Sequence, residues 1–432
     1  MQFRMSLPGA VAFAFALFPL SVLAQEPARG VRIGLTYDPG TRPGVVVLPI
    51  RGEAGDSLRA ILERDFRLSD RLTVLELAGS PGAAALPSGS LNYQFFGTMG
   101  AAAVVQATVT ASGLHVALHD VRKASVINVH DFVVSEAPYS RDWRYTVHGI
   151  ADSIEEWMTL VRGIAQTRIA FIRTNVVHLV DFDGEQEIAL PVVGAALSPA
   201  WHPGGGMIAY NTFGPESRIV IHDLRTGRNR DLGAQRNVTN LTPSFTPDGR
   251  TIVYSISTEN GADLYQRSLD GEAFPRRITV GRGSENVGPS FSPDGNRVAF
   301  TSDRTGTPQV YITDADGTNA DIFTAFDFGD QNDRASPDWS PDGRQIAFQS
   351  RIDGRFQIFT MSIRDRQPRQ LTSEGENEDP SWAPDGRHLV FVSTRTGTQQ
   401  LWILDTESGK LRQLTRLGGA RLPAWSPRLG TR

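Results

Sequence analysis

The 432-residue chain contains no cysteine, and this absence removes several kinds of chemistry at once. Disulfide bonds, thiolate zinc sites and cysteine nucleophiles are all excluded. Charge of one sign is not in excess either, because the formal net charge is -4 at pH 7. A chain with this balance has no electrostatic basis for binding nucleic acid or an anionic membrane surface.

Long apolar runs are equally scarce, and the only one in the sequence lies at the N-terminus. The run LPGAVAFAFALFPLSVL follows Arg4 and ends before Ala24. A basic residue, an apolar stretch and a small residue predict a signal peptide over residues 1–24, cleaved near Ala24. The two prolines within the run argue against the alternative, a transmembrane anchor. We therefore expect an exported protein that reaches membranes only through its partners.

A repeat dominates the second half of the chain. Motifs such as SFSPDGNRVAF and DWSPDGRQIAF recur, and the prolines of their turns lie 43 to 48 residues apart. These prolines are Pro203, Pro247, Pro293, Pro341, Pro384 and Pro427. Each unit holds short β-rich runs separated by Gly, Pro and Asp turns, which is typical of a four-stranded propeller blade.

The two ends of the repeat predict how many blades there are and how they close. The first strand of the IAF type, TRIAFIR, has no turn before it, and the last turn motif, PAWSP, has no strand after it. Pairing the C-terminal strand beside Ile169 solves both problems and leaves no open sheet edge. The sequence therefore predicts an all-β six-bladed β-propeller over residues 165–432.

The repeated Pro-Asp-Gly has a structural explanation. Proline presets φ at the first central position of a turn, aspartate binds its own backbone, and glycine takes the positive φ that follows. Asp248, Asp294, Asp342 and Asp385 are therefore interpreted as turn residues and not as repeated catalytic groups.

Residues 25–164 predict a different architecture, an α+β N-terminal domain. GDSLRAILERDFRLS is a predicted helix capped by Asp56 or Ser57, and a longer amphipathic helix starts at about Arg141. Strands are predicted at VVVLPI, AAAVVQATVT, LHVALHDV and VINVHDFVV. The domain runs almost directly into TRIAFIR, so we expect a tight junction.

Motifs for catalysis are missing from the sequence. No Gly-x-Ser-x-Gly elbow and no Walker-type phosphate loop is present. His115, His119 and His130 could meet a metal ion in one strand register, but the favoured interpretation places them on the wet face of a sheet. We therefore expect a binding protein without cofactor or metal, and not an enzyme.

The loops that precede the last strand motif of each unit form the candidate binding site. Because equivalent loops of a propeller emerge on one face, their side chains form a ring, and loops on a rigid scaffold commonly carry binding. The alternative is that asparagine is simply common in turns. The candidate residues from these loops are Asn240, Glu285, Asn286, Asn332, Asp333 and Asn377.

The whole pattern resembles a known family. The N-terminal signal, GVVVLPI, the junction DWRYTVHGIADSIEEWMTLVRGIAQTRIAFI and the repeats TSDRTGTPQVY and PDWSPDGRQIAFQS together resemble the TolB family, periplasmic components of the Tol–Pal system of Gram-negative bacteria. The resemblance covers essentially the whole chain after the signal peptide. It implies a non-enzymatic, monomeric periplasmic adaptor that supports outer-membrane integrity and constriction during cell division.

The resemblance also implies two partner sites. The propeller mouth would receive the lipoprotein Pal, adding Thr239, Thr242 and Val287 to the candidate residues. The segment VRIGLTYDPGTRPG would bind TolA, and it carries Val31, Arg32 and Ile33. Two other functions stay open: an exported propeller hydrolase or lyase accessory protein, and a glycan-binding propeller.

Overall fold

The computed structural model describes residue 35 and residues 41–77, 84–86, 88–214, 216–233, 238–270, 274–281, 283–324 and 332–429. The predicted signal peptide and Val31, Arg32 and Ile33 lie outside these residues. Within them, no helix has both the length and the apolar character needed to cross a membrane.

The N-terminal region is a five-stranded sheet packed against helices. Strands lie in the order β2 (Thr73–Val74), β1 (Gly44–Val47), β3 (Ala101–Thr110), β4 (Gly113–Asp120) and β5 (Ser125–Val133). The helices are α1 (Gly55–Leu68), α2 (Tyr93–Thr98) and α3 (Arg141–Thr159). Helices α1 and α3 pack together and bury one core with the sheet, as their apolar stripes predict.

The predicted cap of the first helix is wrong. Helix α1 has Ala54 as its N-cap, in a left-handed conformation and with no side-chain hydrogen bond to the helix. Asp56 lies inside the first turn, where its carboxylate faces the positive end of the helix dipole. Helix α3 is capped by Ser140, whose Oγ accepts a hydrogen bond from the backbone N–H of Trp143.

The described residues from 168 to 425 form six four-stranded antiparallel sheets, as predicted. The first blade is β29 (Arg421–Trp425), β6 (Arg168–Arg173), β7 (Val176–Asp181) and β8 (Ile188–Ala189). The second is β9 (Ala195–Trp201), β10 (Met207–Phe213), β11 (Ile219–Asp223) and β12 (Asn229–Asp231). The third is β13 (Thr239–Phe245), β14 (Thr251–Thr258), β15 (Gly261–Ser268) and β16 (Arg276–Arg277).

The remaining blades follow in the same order along the chain. The fourth is β17 (Asn286–Phe291), β18 (Arg297–Ser302), β19 (Gln309–Asp314) and β20 (Asp321–Ile322). The fifth is β21 (Arg334–Trp339), β22 (Gln345–Ile352), β23 (Arg355–Ser362) and β24 (Pro368–Gln370). The sixth is β25 (Asn377–Trp382), β26 (His388–Ser393), β27 (Gln400–Asp405) and β28 (Leu411–Gln413).

The ring closes as the sequence predicts. Strand β29 pairs antiparallel with β6, placing Trp425 opposite Ile169 and Ala424 opposite Ala170. The first strand of each blade contacts the first strands of both neighbouring blades, so these inner strands surround the axis. Closure through the C-terminal strand leaves both termini of the repeat with a pairing partner.

The four Pro-Asp-Gly segments are turns, as interpreted. Each aspartate carboxylate accepts a hydrogen bond from the backbone N–H two residues later, at 3.0 to 3.1 Å. The carboxylates of these turns therefore close the connection between the first and second strands of a blade.

The junction between the N-terminal region and the propeller is short and buried. Helix α3 ends at Thr159, and Ile164 to Thr167 are buried before β6 begins. The carboxylate of Asp152 accepts hydrogen bonds from the backbone N–H groups of Ala165 and Gln166, at 2.7 and 2.9 Å. This carboxylate fixes the path of the chain into the first blade.

Candidate functional site

The propeller has two faces that differ in their contacts. The inner strand of each blade begins after the connection from the preceding blade and ends before the turn that leads to the second strand. The connections between blades therefore lie on one face of the propeller, and the Pro-Asp-Gly turns lie on the other. We call these the mouth face (for example Glu285 and Asn377) and the turn face (for example Asp385). Among the described residues, the hydrogen bonds between the propeller and the N-terminal region lie at the turn face, such as Arg71 to Asp385 and Lys410 to Asp70.

A strained ring of residues lies in the inner strands near the mouth face. Each inner strand shifts register at a β-bulge, and the residue before the following proline has a positive φ, between 44° and 66°. Such φ values are costly for residues other than glycine, so the surrounding structure must hold them. The six residues are Ser198, Thr242, Gly288, Ser336, Asp379 and Leu422.

Hydrogen bonds between neighbouring blades hold this ring. The backbone N–H of Gly288 donates to Oγ1 of Thr242 at 3.0 Å, and Oγ of Ser336 donates to Oδ1 of Asp379 at 3.1 Å. Predicted residue Thr242 therefore joins the third blade to the fourth. The ring gives the mouth a rigid rim, which is the arrangement that favours a preformed binding surface.

Two predicted asparagines of the mouth are buried. Asn240 donates through Nδ2 to the backbone oxygen of Ser217 at 2.8 Å, and its backbone N–H binds Oγ of the same serine. Asn286 donates through Nδ2 to the backbone oxygen of Ala262 and to Oδ1 of Asp263, at 2.9 and 3.0 Å. Their amides therefore tie the entering connections to the preceding blade.

Asn377 has the same role in the sixth blade. Its side chain is fully buried, and Nδ2 donates to Oε1 of Gln357 and to the backbone oxygen of Glu374, at 2.8 and 3.0 Å. The amide oxygen accepts from Nη2 of Arg395 at 3.0 Å. The asparagine thus holds a cation that lies nearer to the surface.

Three arginines of the mouth face were not predicted from the sequence. Three consecutive blades each place an arginine eighteen residues after a candidate residue, and the two side chains are bonded at 2.8 to 3.1 Å. Each guanidinium also lies over an aromatic ring, 4.3 to 4.8 Å from its centroid. The pairs are Asn286–Arg304, Asp333–Arg351 and Asn377–Arg395. The constant separation within the repeat was the signal that could have revealed them.

The other candidate residues lie on the same face. Glu285 is exposed, and its backbone N–H donates to Oδ1 of Asp303 at 2.7 Å. Thr239 and Val287 are half-buried near the starts of their inner strands. Asn332 is half-buried too, and its backbone oxygen accepts from Nε2 of Gln309 at 3.0 Å. The fold therefore brings all the described candidate residues to one end of the propeller.

Carboxylates on the mouth face repel one another. Partial burial, with Asp303 and Asp263 nearby, raises the pKa of Glu285 above its usual value. Burial and the neighbouring Asp379 similarly raise the pKa of Glu378. A partner that supplies cationic or hydrogen-bond-donating groups would relieve this repulsion.

The three histidines of the N-terminal sheet do not meet. His115 binds Asp131 at 2.6 Å, and His130 packs edge-on against Phe132. His119 is buried and binds the hydroxyl of Tyr93 at 2.9 Å, so the expectation that it lies on a wet face is wrong. Strand β4 turns this side chain towards α2, and the sequence alone did not indicate that contact.

A cavity of about 350 Å³ lies at the turn face, beside Asp338, Trp382 and Trp425. The Asp338 carboxylate already accepts hydrogen bonds from the backbone N–H of Trp382 at 2.7 Å and from Oγ of Ser290 at 3.2 Å. Because its oxygens are taken up by three blades, this carboxylate is best explained as part of the packing around the axis.

Comparisons with known proteins agree with this architecture. The family model described as PD40, TolB beta propeller domain, matches residues 155–429. A crystal structure of TolB from Acinetobacter baumannii is similar with a TM-score of 0.77 and 27% identity, covering 91% of this chain and 98% of that one.

Curated relatives carry the same name. The Tol-Pal system protein TolB of Actinobacillus pleuropneumoniae is 31% identical over 212 residues, covering 44% of this chain and 47% of the relative. The one from Histophilus somni is 27% identical over 255 residues, covering 54% and 57%. The chain thus spans about half the length of the curated relatives it matches. The propeller match extends over more than half of the chain and the solved structure matches nearly all of it, so the chain belongs to the TolB family.

Proposed function

We propose that the protein is a non-enzymatic adaptor of a periplasmic Tol–Pal complex, which receives Pal at the mouth face. In this proposal the N-terminal segment with Val31, Arg32 and Ile33 binds TolA. The complex would support outer-membrane integrity and constriction during division. The curated relatives named as Tol-Pal system proteins support this assignment.

The observation that carries the proposal is the difference in contacts between the two faces of the propeller. The turn face holds contacts with the N-terminal region, including Asp385 and Lys410. The mouth face carries the strained ring and the three arginine pairs. A rigid rim with loops on it is a usual carrier of binding.

The chemistry of the mouth face suits a protein partner. Exposed apolar side chains stand beside its charged groups, as in the mixed surfaces that proteins use for contact. They are Val193, Phe213, Val280 and Leu417. Small ligands are usually held in deeper and more enclosed pockets.

The test is binding of the soluble domain of Pal to charge-reversal variants, measured by calorimetry. Glu285→Lys changes an exposed mouth residue and leaves the backbone bond to Asp303 in place. We expect about a tenfold weaker complex, or about 1.4 kcal/mol. The matched control is Asp270→Lys, which makes the same charge change in an exposed turn on the opposite face.

Two results would contradict the proposal. One is equal affinity of both variants and the wild type, which would remove Pal from the mouth face. The other is retention of the chain by peptidoglycan without Pal, which would favour a glycan-binding propeller. A separate variant, which lacks residues 25–33, tests the N-terminal segment. It should lose TolA binding and keep Pal binding. Retained TolA binding would refute the role proposed for this segment.

A further inference from the structure

One of the four Pro-Asp-Gly turns differs from its copies. In the other three, the aspartate accepts a hydrogen bond from a serine or threonine two residues earlier, at 2.5 to 2.6 Å. In the sixth blade that position is Ala383, which has no donor. The residue three after the aspartate also differs, because it is a histidine only here. That position is occupied by Thr251, Arg297, Gln345 and His388.

His388 lies between two carboxylates from different parts of the chain. Its Nδ1 is 2.8 Å from Oδ2 of Asp385, in its own turn, and its Nε2 is 3.6 Å from Oδ2 of Asp70. Asp70 follows helix α1 of the N-terminal region and has a left-handed φ of 55°. His388 is 1% exposed, and among the described atoms its Nε2 has no hydrogen-bond partner. The imidazole therefore spans the contact between the N-terminal region and the propeller.

Neighbouring cations already neutralise the carboxylates. Nζ of Lys410 lies 2.6 Å from Oδ1 of Asp70, and Arg387 binds both oxygens of Asp405 at 2.7 and 2.8 Å. A guanidinium nitrogen of Arg387 also donates to the backbone oxygen of Asp70, at 3.1 Å. The Asp70 and Asp405 carboxylates therefore have close cationic partners in addition to His388.

Three more arginines and a glutamate complete the surroundings. Nη2 of Arg71 is 3.2 Å from Oδ2 of Asp385, and Nε of the same arginine is 3.7 Å from Glu155. Arg42 lies 3.8 Å from Asp70 and 3.9 Å from Asp405. Burial, together with Asp152, raises the pKa of Glu155 to about 8. The buried Arg412 is also close enough to interact with Asp70.

The charge state of His388 decides whether this contact is attractive. An imidazolium presents N–H donors to both Asp385 and Asp70. A neutral imidazole that donates from Nδ1 to Asp385 turns a lone pair towards the Asp70 carboxylate, which repels it. The protonation state of His388 therefore decides whether its contact with Asp70 is attractive or repulsive.

We propose that His388 is a charge-dependent clasp, which as an imidazolium holds Asp70 of the N-terminal region against Asp385 of the propeller and holds it less firmly on deprotonation. The clasp acts from the turn face and does not depend on the function proposed for the mouth face. Its effect is on how firmly the N-terminal region is held.

The direction of the pH effect follows from the groups in contact. Burial alone would lower the pKa of His388, but the hydrogen bond to Asp385 and the nearby Asp70 and Asp405 carboxylates outweigh it and raise that pKa. Burial would raise the pKa of Asp385 and of Asp70, yet their contacts with His388 lower both. The histidine's contribution is therefore complete below its unfolded value of about 6.5 and is lost as pH rises through the folded value. The stabilising contributions of the Asp385 and Asp70 carboxylates are lost only when pH falls well below the usual pKa of an aspartate.

A second histidine shares the interface and must be separated from the first. His148 binds Asp65 at 2.7 Å, and Asp183 of the propeller helps to raise its pKa against the effect of burial. Arg144 and Arg64 also bind Asp183. Only the difference between the wild type and a His388 variant isolates the proposed clasp.

The experiment is amide hydrogen exchange on the full chain, at about pH 6 and about pH 9, corrected for the intrinsic rate. The segments read are Ser69–Leu72 and Arg387–His388. In the wild type we expect protection to fall towards the higher pH, by about tenfold for each unit of pKa elevation of His388. In His388→Gln we expect low protection at the lower pH already and a much smaller change. Glutamine occupies this position in the fifth blade as Gln345, so the turn accommodates it.

His222→Gln removes a buried histidine of the second blade, bonded to Asn229 at 2.9 Å, and should keep the wild-type pH response. An unchanged response in His388→Gln would overturn the proposal. So would stronger protection on adding Zn²⁺ to the wild type but not to the variant, since Asp70, His388 and Asp405 could then be metal ligands. If the variant does not fold, NMR titration of the wild-type histidines decides: a value for His388 at or below about 6.5 refutes the clasp.

Discussion

Replacing Asn377 by alanine separates two interpretations of the mouth asparagines. Either the amide contacts a partner directly, or it builds the surface that does so. The amide donates two short neutral hydrogen bonds, to Gln357 and Glu374, and a long one of 3.5 Å to the backbone oxygen of Gly375. It also accepts one charged bond, from Arg395. The alanine variant keeps the backbone of β25 and removes all four. Its effect on stability is therefore informative before any partner is added.

The expected magnitude follows from these contacts. Neutral hydrogen bonds contribute about 1 kcal/mol each and charged ones about 1.5–3 kcal/mol. Two circumstances reduce the sum: Oε1 of Gln357 keeps the bond from Thr372 at 2.9 Å, and water reaches the half-buried Arg395. We therefore expect Asn377→Ala to lower the free energy of unfolding by about 2–4 kcal/mol.

Urea denaturation of the full chain measures this loss, with Asn260→Ala as the control in an exposed turn on the mouth face. A double-mutant cycle with Arg395→Gln should give a coupling energy of about 1 kcal/mol or more, because the two side chains are bonded. The reasoning fails if Asn377→Ala costs less than about 0.5 kcal/mol and nevertheless weakens Pal binding. Asn377 would then contact Pal itself.

Two further variants test the ring and its axis. Trp425→Ala empties a buried site where β29 closes the ring and breaks the bond from Nε1 to Thr167, so we expect a loss of about 3–5 kcal/mol in urea denaturation. Asp338→Asn tests a carboxyl whose pKa burial raises to about 6, against the opposing bond from Trp382. Because this value exceeds the unfolded one, the contribution of Asp338 to stability should fall, by at most about 3 kcal/mol, as pH rises from about 4 to about 7. Asp152, whose pKa is also raised to about 6, titrates in the same range in both proteins. The loss of stability over this range should therefore be smaller in the asparagine variant than in the wild type, and an equal loss in both would contradict the prediction.

The number of blades and the closure of the ring could be predicted because both follow from the number of repeats and from the strands left over at the two ends. A period of 43 to 48 residues and an unmatched strand at each end leave one ring, and Trp425 lies opposite Ile169 as expected. The cap of α1 could not be predicted, since Asp56 is a good cap by type yet lies inside the first turn. Helix starts depend on backbone conformation, and Ala54 adopts a left-handed one.

The candidate site was predicted at the level of loops but not of side chains. Residues at equivalent positions of successive blades lie on the same face of the propeller, but their side chains can point in different directions. The burial of Asn286 depends on contacts with Asp263 on β15 and with Arg304 in the turn after β18, which lie about twenty residues away along the chain. Only the assembled blade shows that the asparagine is a support and the arginine lies towards the surface.

The sixth blade departs from the repeat at the turn that contacts the N-terminal region. In the other three Pro-Asp-Gly turns a serine or threonine two residues before the aspartate donates to its carboxylate, as Ser292 does to Asp294. The sixth blade has Ala383 and His388 instead, at the place where Asp70 of the N-terminal region arrives. Identical blades would offer identical edges, so a single docking position requires that one copy differ from the others. That requirement explains why a histidine stands in this copy, and why replacing it with the glutamine of the fifth blade should loosen the contact without disturbing the turn.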